Sequence, residues 1–177
     1  PVFLHWSLWH QAKRFGETIT SAFIRSKGLD GRIIRIFNTF GPGMAIDDGR
    51  VVTEFIKAAL ENKTLPVFGD GKQTRSFCFV DDLIEGIYLS MTKENTKSEV
   101  INLGNSDEFT ILELADLVIK LTGSKSNYNF TEKLPEDDPL KRSPDITRAK
   151  QLLGWEPKVN LEEGLKKTIS YFSGPKL

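Results

Sequence analysis

The sequence predicts an α/β fold that combines a small piece of parallel sheet with a separate, smaller α/β lobe. Helices and single short strands alternate along most of the chain, which is typical of α/β proteins. Two β-branched segments, Arg32–Phe37 and Val100–Leu103, have the composition of buried parallel strands. The strand content is low for a complete doubly wound sheet, so we expect only part of such a sheet in this chain.

The first third of the chain is predicted to contain two helices on either side of one strand. Good helix formers run from about Ser7 to Lys27, and Gly28 offers a C-terminal stop. The strand Arg32–Phe37 leads into a loop, Asn38–Asp48, that holds two glycines and a proline. Apolar residues at helical spacing then predict a helix over Val51–Glu61.

The middle of the chain is predicted to form short strands joined by turns. Leu65–Phe68 is a brief strand, Asp70-Gly71 is a turn signal, and Arg75–Val80 alternates as a strand should. Asp81 or Asp82 is expected to cap the next helix, which runs to about residue 91. The later elements are a strand at Val100–Leu103, a helix from Thr110 to Leu121 with Glu113 completing a capping box, a strand at Asn127–Thr131, a loop at Leu134–Pro144, a short helix from Asp145 to Gly154 and a last helix at Leu161–Phe172.

The composition argues against several classes of partner. Hydrophobic residues make up 39% and charged residues 27%, which is typical of a globular protein. Lys plus Arg equals Asp plus Glu at 24 each, so no overall field attracts nucleic acid or an anionic membrane. The apolar stretches fall far short of the roughly 20 residues of a membrane helix. The single cysteine, Cys78, fits a cytoplasmic protein, and no metal site is predicted.

Two segments bring anion-binding and backbone-permissive residues together. Asn38 and Thr39 directly follow a strand, which is where ligands bind in open α/β sheets. Between residues 67 and 75, the ring of Phe68 can stack against a base, and two glycines let the backbone approach a ligand. The guanidinium of Arg75 can donate two parallel hydrogen bonds to a phosphate. Taken alone, the first segment is more typical of an ordinary strand-to-loop turn, and the second fits a hairpin with a solvated basic flank equally well.

Two later segments carry weaker signals. Arg142 lies in a stiff, charged loop at Asp137–Asp145, which by itself is also typical of a surface loop. Trp155-Glu-Pro157 is interpreted as a structural anchor between two helices. No Gly-x-Gly-x-x-Gly or Gly-x-x-Gly-x-x-Gly follows a predicted strand, so the sequence lacks the usual turn that holds the pyrophosphate of a dinucleotide.

The order of these motifs resembles the extended short-chain dehydrogenase/reductases that act on nucleotide sugars. The matching segments, between about Lys13 and Phe172, are Arg35-Ile-Phe-Asn-Thr-Phe-Gly-Pro42, Asp48-Gly-Arg-Val-Val52, Phe68-Gly-Asp-Gly-Lys-Gln-Thr-Arg75, Val80-Asp-Asp82, Asn102-Leu-Gly-Asn105, Asp137-Asp-Pro with Lys141-Arg-Ser-Pro-Asp145, and Leu153-Gly-Trp-Glu-Pro157. The second and sixth patterns resemble the UDP-glucuronate decarboxylases (UDP-xylose synthases) more than the epimerases. The resemblance implies a partial Rossmann-like sheet plus a small substrate-binding lobe. Residues 1–177 would form the C-terminal part of such an enzyme, without its N-terminal NAD-binding half.

The resemblance implies mainly a site for a UDP-sugar. It assigns Asn38 to the phosphate region, Thr39 to the nicotinamide side of the cofactor, and Arg142 to the diphosphate or the uronate. The residues implied to line the rest of the nucleotide are Gly49, Arg50, Val51, Val52 and Thr53 at a helix start, Pro66, Val67 and Phe68 at the uracil, and Gln73 and Arg75 at the ribose and diphosphate. We therefore predict that Asn38, Arg75 and Arg142 converge on one cleft.

The catalytic motif of the family, Tyr-x-x-x-Lys on a helix, matches only at its lysine end. In the family the lysine lowers the pKa of the tyrosine, whose phenolate removes a sugar hydroxyl proton as hydride passes to NAD. Lys13 stands at the lysine position, where it would also contact the cofactor, but Trp9 stands at the expected tyrosine position. Indole donates a hydrogen bond and has no acid–base chemistry near neutral pH.

Several interpretations of the function stay open. The resemblance implies NAD-dependent decarboxylation of UDP-glucuronate to UDP-xylose, with this chain supplying the sugar-nucleotide side and showing little or no activity alone. The alternatives are a fragment of a dTDP-glucose 4,6-dehydratase or a UDP-sugar epimerase, and a non-catalytic sugar-nucleotide-binding or interaction module. In relatives the helix that holds the catalytic motif packs at a dimer interface, so a homo-oligomer formed through Lys13–Lys27 is a further expectation.

Overall fold

The computed structural model describes residues 3–131 and 141–174, with the side chains of residues 11–130 and 141–174. The α-helices are α1 (Phe3–Lys27), α2 (Val51–Leu60), α3 (Val80–Thr92), α4 (Ile111–Thr122) and α5 (Leu161–Ser173). The strands are β1 (Ile33–Ile36), β2 (Thr39–Phe40), β3 (Leu65–Phe68), β4 (Thr74–Ser76), β5 (Cys78–Phe79), β6 (Val100–Leu103), β7 (Glu108–Thr110), β8 (Tyr128–Thr131) and β9 (Lys141–Arg142). This alternation confirms the predicted α/β class.

The predicted piece of parallel sheet is present. Strands β1 and β6 pair in parallel, with Ile33 opposite Val100 and Ile36 opposite Leu103. The expectation that Arg32–Phe37 and Val100–Leu103 share one sheet is therefore confirmed. Strand β6 is buried through alternate residues, whereas the second half of β1 is exposed, so the predicted burial holds only partly for β1.

The prediction of a single strand over Arg75–Val80 was wrong. Strand β4 lies between β7 and β9, β5 pairs with β2, and Val80 already begins α3. The chain passes from one sheet to the other at Phe77, and the buried rings of Phe77 and Phe79 both pack edge-on against Phe40. Strand β2 also means that the predicted loop Asn38–Asp48 contains two paired residues, Thr39 and Phe40.

The prediction that Asp81 or Asp82 caps α3 was also wrong. Asp81 is exposed, and the Asp82 carboxylate accepts hydrogen bonds from another segment of the chain. The helix starts directly after an apolar residue. The buried Asp82 carboxylate accepts hydrogen bonds from the backbone N–H groups of Lys158 (3.1 Å) and Val159 (2.9 Å). The indole of Trp155 donates to the Asp82 carbonyl over 2.9 Å, which confirms that Trp155 is a structural anchor.

The later helices begin and end close to where the sequence predicts. Thr110 and Glu113 form the reciprocal capping box of α4, and Gly123 ends that helix in the left-handed region at φ 64°. The short helix after Asp145 includes a π-helical turn, Ala149–Leu153, and Asp145 accepts from the N–H of Thr147. Of the predicted loop at Leu134–Pro144, residues 134–140 lie outside the described residues, and Lys141–Arg142 forms β9 instead.

Two hydrophobic cores hold the described residues together. The larger core lies where α2, α4, α5 and β3 meet, and its fully buried members include Phe55, Ile56, Leu65, Leu114 and Leu165. The smaller core surrounds β6 and α3 and contains Ile101, Leu103, Leu153 and Trp155. The larger core supports the strands that carry the predicted sugar-nucleotide residues.

Candidate functional site

Two of the predicted anion-binding residues are neighbours in the three-stranded sheet β7-β4-β9. Arg75 on β4 lies opposite Arg142 on β9 and opposite Phe109 on β7. Residues in direct register on neighbouring strands project from the same face of a sheet, and neighbouring strands lie about 4.8 Å apart. Both arginines are half-buried, and Arg75 also donates to the Thr74 carbonyl over 2.8 Å. The fold thus brings two arginines that are distant in sequence onto one face.

Glu108 is a residue that the sequence analysis did not single out. Its carboxylate accepts from the hydroxyl of Thr74 over 2.7 Å and pairs with the ammonium of Lys141 over 2.7 Å. The hydrogen bond from Lys141 and then that from Thr74 lower the pKa of Glu108 below its usual value of 4.5. Only the pairing of β7 and β9 with β4 brings these groups together, so no local sequence pattern marks them.

The turn between β3 and β4 holds the predicted base and ribose positions close together. Gln73 is buried, and its amide nitrogen donates to the carbonyl of Phe68 over 3.0 Å. Its amide oxygen is buried without a hydrogen-bond partner among the described residues. The ring of Phe68 is 52% exposed. The turn therefore holds a buried, unsatisfied acceptor beside the backbone of an exposed aromatic residue.

Gly71 in this turn has a packing role. Its φ of 70° favours glycine, and a Cβ there would lie 2.7 Å from Leu112 and 2.9 Å from Val67. The space beside Gly71 is thus filled by the core, so at this glycine the interpretation as an opening for a ligand was wrong.

Several residues assigned to the nucleotide turn their side chains into the core. Val52, Thr53 and Val67 are buried, and Pro66 is half-buried on the other side of β3. The hydroxyl of Thr53 donates to the Asp48 carboxylate over 2.6 Å. At these buried positions only backbone groups remain available to a ligand, and their assignment to the nucleotide stays a prediction.

The N-terminus of α2 already carries a carboxylate. Asp48 accepts from the N–H of Arg50 over 3.0 Å, and its other oxygen lies 3.3 Å from the Arg50 guanidinium. Gly49 between them has a φ of 75°, which permits this tight approach. A phosphate at this helix end, near Val51, would meet the Asp48 charge, so the prediction of an anion there requires Asp48 to turn away.

Asn38 and Thr39 lie where β1 ends and β2 begins. The Asn38 carbonyl accepts from the N–H of Cys78 over 2.9 Å, and the Thr39 hydroxyl donates to the Phe37 carbonyl over 2.9 Å. The pairing of β2 with β5 places Asn38 near the strand that continues from Arg75. The convergence of the Asn38 side chain with the two arginines stays a prediction. Burial raises the pKa of the Cys78 thiol to about 12, so this neighbour is no thiolate at neutral pH.

Helix α1 carries the expected catalytic positions. Lys13 is exposed, and Trp9 lies one turn earlier on the same helix. Glu17 accepts two hydrogen bonds of 2.7 Å from the guanidinium of Arg35, which ties α1 to β1. The hydrogen bond from Arg35 lowers the pKa of Glu17. The helix is thus attached to β1, the strand that leads to Thr39.

Among the described side chains, those of residues 11–130 and 141–174, no group of three His, Cys, Asp or Glu is arranged to hold a metal ion. Among the described helices, none is long and apolar enough to cross a membrane.

Residues 6–104 match the model of the NAD dependent epimerase/dehydratase family. The chain belongs to the NAD dependent epimerase/dehydratase family. It is 51% identical to UDP-glucuronic acid decarboxylase 1 of Danio rerio over 93% of this chain and 39% of that protein. It is also 51% identical to UDP-glucuronic acid decarboxylase 2 of Arabidopsis thaliana, over 94% of this chain and 37% of that protein. These similarities confirm the resemblance to the decarboxylases, although the chain spans less than half the length of these curated relatives.

Solved structures support the same family and fold. UDP-glucuronic acid 4-epimerase from Bacillus cereus, in complex with UDP-glucuronic acid and NAD, is 32% identical with a TM-score of 0.82, over 89% of this chain and 50% of that one. An epimerase from Methanothermobacter thermautotrophicus is 30% identical with a TM-score of 0.86, over 89% and 47% of the two chains. The predicted fold class, a partial Rossmann-like sheet with a small lobe, is thereby confirmed.

Proposed function

We propose that this chain forms the sugar-nucleotide-binding part of an NAD-dependent enzyme that decarboxylates UDP-glucuronate to UDP-xylose. The observation that carries the proposal is the pairing of Arg75 with Arg142 in one sheet. Half of the aligned residues are identical to relatives named UDP-glucuronic acid decarboxylase, which supports this substrate over the alternatives in the family.

The proposed binding mode assigns each part of the ligand to a different group. Each guanidinium contributes about 1.5–3 kcal/mol through charged hydrogen bonds to the diphosphate. The exposed ring of Phe68 stacks against the uracil, and Gln73, whose amide oxygen is buried and unsatisfied, is assigned to the ribose. Asn38 adds an amide near the phosphates. This division leaves the sugar directed toward the end of β1 and the face of α1.

The described residues do not fit a complete NAD site. They offer the cofactor the positions of Lys13 and Thr39. No Gly-x-Gly-x-x-Gly turn joins a strand to a helix within the part of the chain that the structure describes, and such a turn normally holds the pyrophosphate. Trp9 has no proton to exchange near neutral pH. No hydride-transfer or proton-transfer step is therefore assigned to residues of this chain.

The catalytic consequence is that the 177-residue chain alone should turn over little or no UDP-glucuronate. Loss of a general base typically costs about 10²–10⁴-fold in rate, and loss of the hydride acceptor removes the pathway. Trp9→Tyr should restore nothing unless an NAD-binding half is supplied as a separate polypeptide. Release of CO2 from UDP-glucuronate by the chain with added NAD, above a no-protein control, would contradict this part of the proposal.

A second candidate is a non-catalytic sugar-nucleotide-binding module, which Trp9 at the tyrosine position favours. The two candidates separate when the wild-type chain is assayed together with the NAD-binding half of a decarboxylase. Turnover by the wild type supports an enzyme part, whereas UDP binding without turnover, with turnover gained in Trp9→Tyr, supports the module. Under either candidate we expect a cytoplasmic protein, with homo-oligomers formed through α1.

A further inference from the structure

The strand that carries Arg142 is held weakly by its own backbone. Within the described residues, strand β9 is two residues long and pairs with β4 at two positions, Lys141 opposite Thr74 and Arg142 opposite Arg75. Strands in stable sheets usually have five or six residues, so we expect side chains to contribute to holding this ladder in register.

Some of this support comes from β6 and from the segment that follows it. The hydroxyl of Ser143 donates to the Ser106 carbonyl over 3.2 Å. The amide of Asn102 donates to the Asp145 carbonyl over 2.9 Å. Both contacts hold the chain just after β9, and neither fixes the register of β9 against β4.

The carboxylate of Glu108 supplies the missing contact. One oxygen accepts from Thr74 on β4, and the other pairs with Lys141 on β9, each over 2.7 Å. Lys141 directly precedes Arg142, so successive side chains of β9 project to opposite faces of the sheet. Glu108 therefore joins the three strands on the face opposite the arginines, where it cannot compete with a phosphate for them.

We propose that Glu108 is a positioning residue for the sugar-nucleotide site: it fixes β9 in register with β4 and so holds Arg142 beside Arg75. The inference rests on the proposed function, because it gives the pair of arginines a ligand to bind. It also has an electrostatic side. Three cations, Arg75, Lys141 and Arg142, lie on two neighbouring strands, and the Glu108 charge offsets part of their mutual repulsion.

The size of the effect is limited by exposure. The side chain of Lys141 is 73% exposed, whereas that of Glu108 is 23% exposed. Removal of one exposed ion pair typically changes an equilibrium by about two- to fivefold. Glu108→Gln should therefore weaken UDP binding by about two- to fivefold, because glutamine can still accept from Thr74 but loses the ion pair.

The experiment measures UDP affinity by calorimetry in the 177-residue chain and its variants at low salt. The charge swap Glu108→Lys with Lys141→Glu should recover most of the affinity that Glu108→Gln loses. In an Arg142→Ala background, Glu108→Gln should have no further effect. The matched control is Glu85→Gln, which removes the exposed Glu85–Lys158 pair of 2.7 Å on α3 and should leave affinity unchanged.

Hydrogen exchange without ligand tests the positioning by itself. The amides of Lys141 and Arg142 should exchange faster in Glu108→Gln than in the wild type, while those of α4 stay unchanged. A wild type that binds UDP, with affinity and exchange unaltered by Glu108→Gln, would overturn the inference alone. If the wild type binds no UDP, the proposed function is wrong, and so is a role of Glu108 in UDP binding. Even then, unaltered exchange of the Lys141 and Arg142 amides in Glu108→Gln would by itself refute the positioning of β9 by Glu108.

Discussion

The larger core and helix α1 differ sharply in how deeply their apolar side chains are buried. In the core, Phe55 and Leu114 are fully buried between α2 and α4. On α1, Phe15, Ile19 and Phe23 follow one another at four-residue spacing on one face, and Phe15 is 66% exposed. The strands of the predicted sugar-nucleotide site thus rest on a well-packed core, whereas the helix with the expected catalytic positions presents an apolar surface.

The largest expected effect tests this difference in burial. Phe55→Ala should lower the free energy of unfolding by about 3–5 kcal/mol, because it removes a fully buried ring and leaves a cavity. The matched change Phe15→Ala on α1 should alter it by no more than about 0.5 kcal/mol. Urea denaturation followed by circular dichroism measures both. Similar losses in the two variants would show that α1 is as well packed as the core.

The next effect concerns the buried carboxylate in the smaller core. Asp82→Ala should cost about 2–3 kcal/mol, because the N–H groups of Lys158 and Val159 lose their charged acceptor. Asp82→Asn keeps an acceptor oxygen and should cost roughly half as much. Thermal and urea denaturation give both values. A wild-type stability in Asp82→Ala would contradict the structural role assigned to this side chain.

A smaller effect is expected at the capping box of α4. Thr110→Ala should cost about 1 kcal/mol at neutral pH. The backbone N–H of Thr110, and then its hydroxyl, hold the pKa of Glu113 below 4.5. Because the folded pKa is lowered, this stabilisation is present above the unfolded pKa and is lost as the pH falls through the folded value. The difference in stability between wild type and variant should therefore shrink in acid, and a constant difference would refute the charged capping box.

The smallest effect on folding is expected on α1 itself. Phe23→Lys should change the free energy of unfolding by no more than about 0.5 kcal/mol, because this ring is half exposed. It should, however, reduce self-association at high concentration, since exposed apolar patches drive contact between copies. Sedimentation velocity measures the association. Association that persists unchanged in Phe23→Lys would place the contact on another surface.

Local patterns predicted the elements well and their pairing less well. The capping box of Thr110, the anchor Trp155 and the shared sheet of the two β-branched segments follow from short-range chemistry and hydrophobic composition. The split of Arg75–Val80 into two strands does not, because β4 pairs with β7 and β9 while β5 pairs with β2, and all these partners are distant in sequence. Asp82 was assigned to a cap because sequence spacing cannot reveal the amides of Lys158 and Val159.

The residues of the candidate site also fall into those that the sequence predicted and those that it did not. Arg75 and Arg142 were predicted from residue type and from the order of motifs, and the sheet then placed them opposite each other. Glu108 could not be predicted, because its partners come from β4 and β9, which are far from it in sequence. Val52 and Thr53 were assigned to the ligand from their place in a motif, while their burial depends on how α2 packs against the core.

The most direct test of the account is the affinity of the chain for UDP, measured by calorimetry in the wild type, in Arg75→Ala and in Arg142→Ala. Each variant should bind about ten- to a hundredfold more weakly, because one charged donor to the diphosphate is lost. The matched control Arg148→Ala removes an exposed guanidinium that pairs with Glu99 over 3.0 Å and should bind as the wild type does. Equal affinity in all four proteins, or no binding by the wild type, would contradict the claim that the paired arginines form a sugar-nucleotide site.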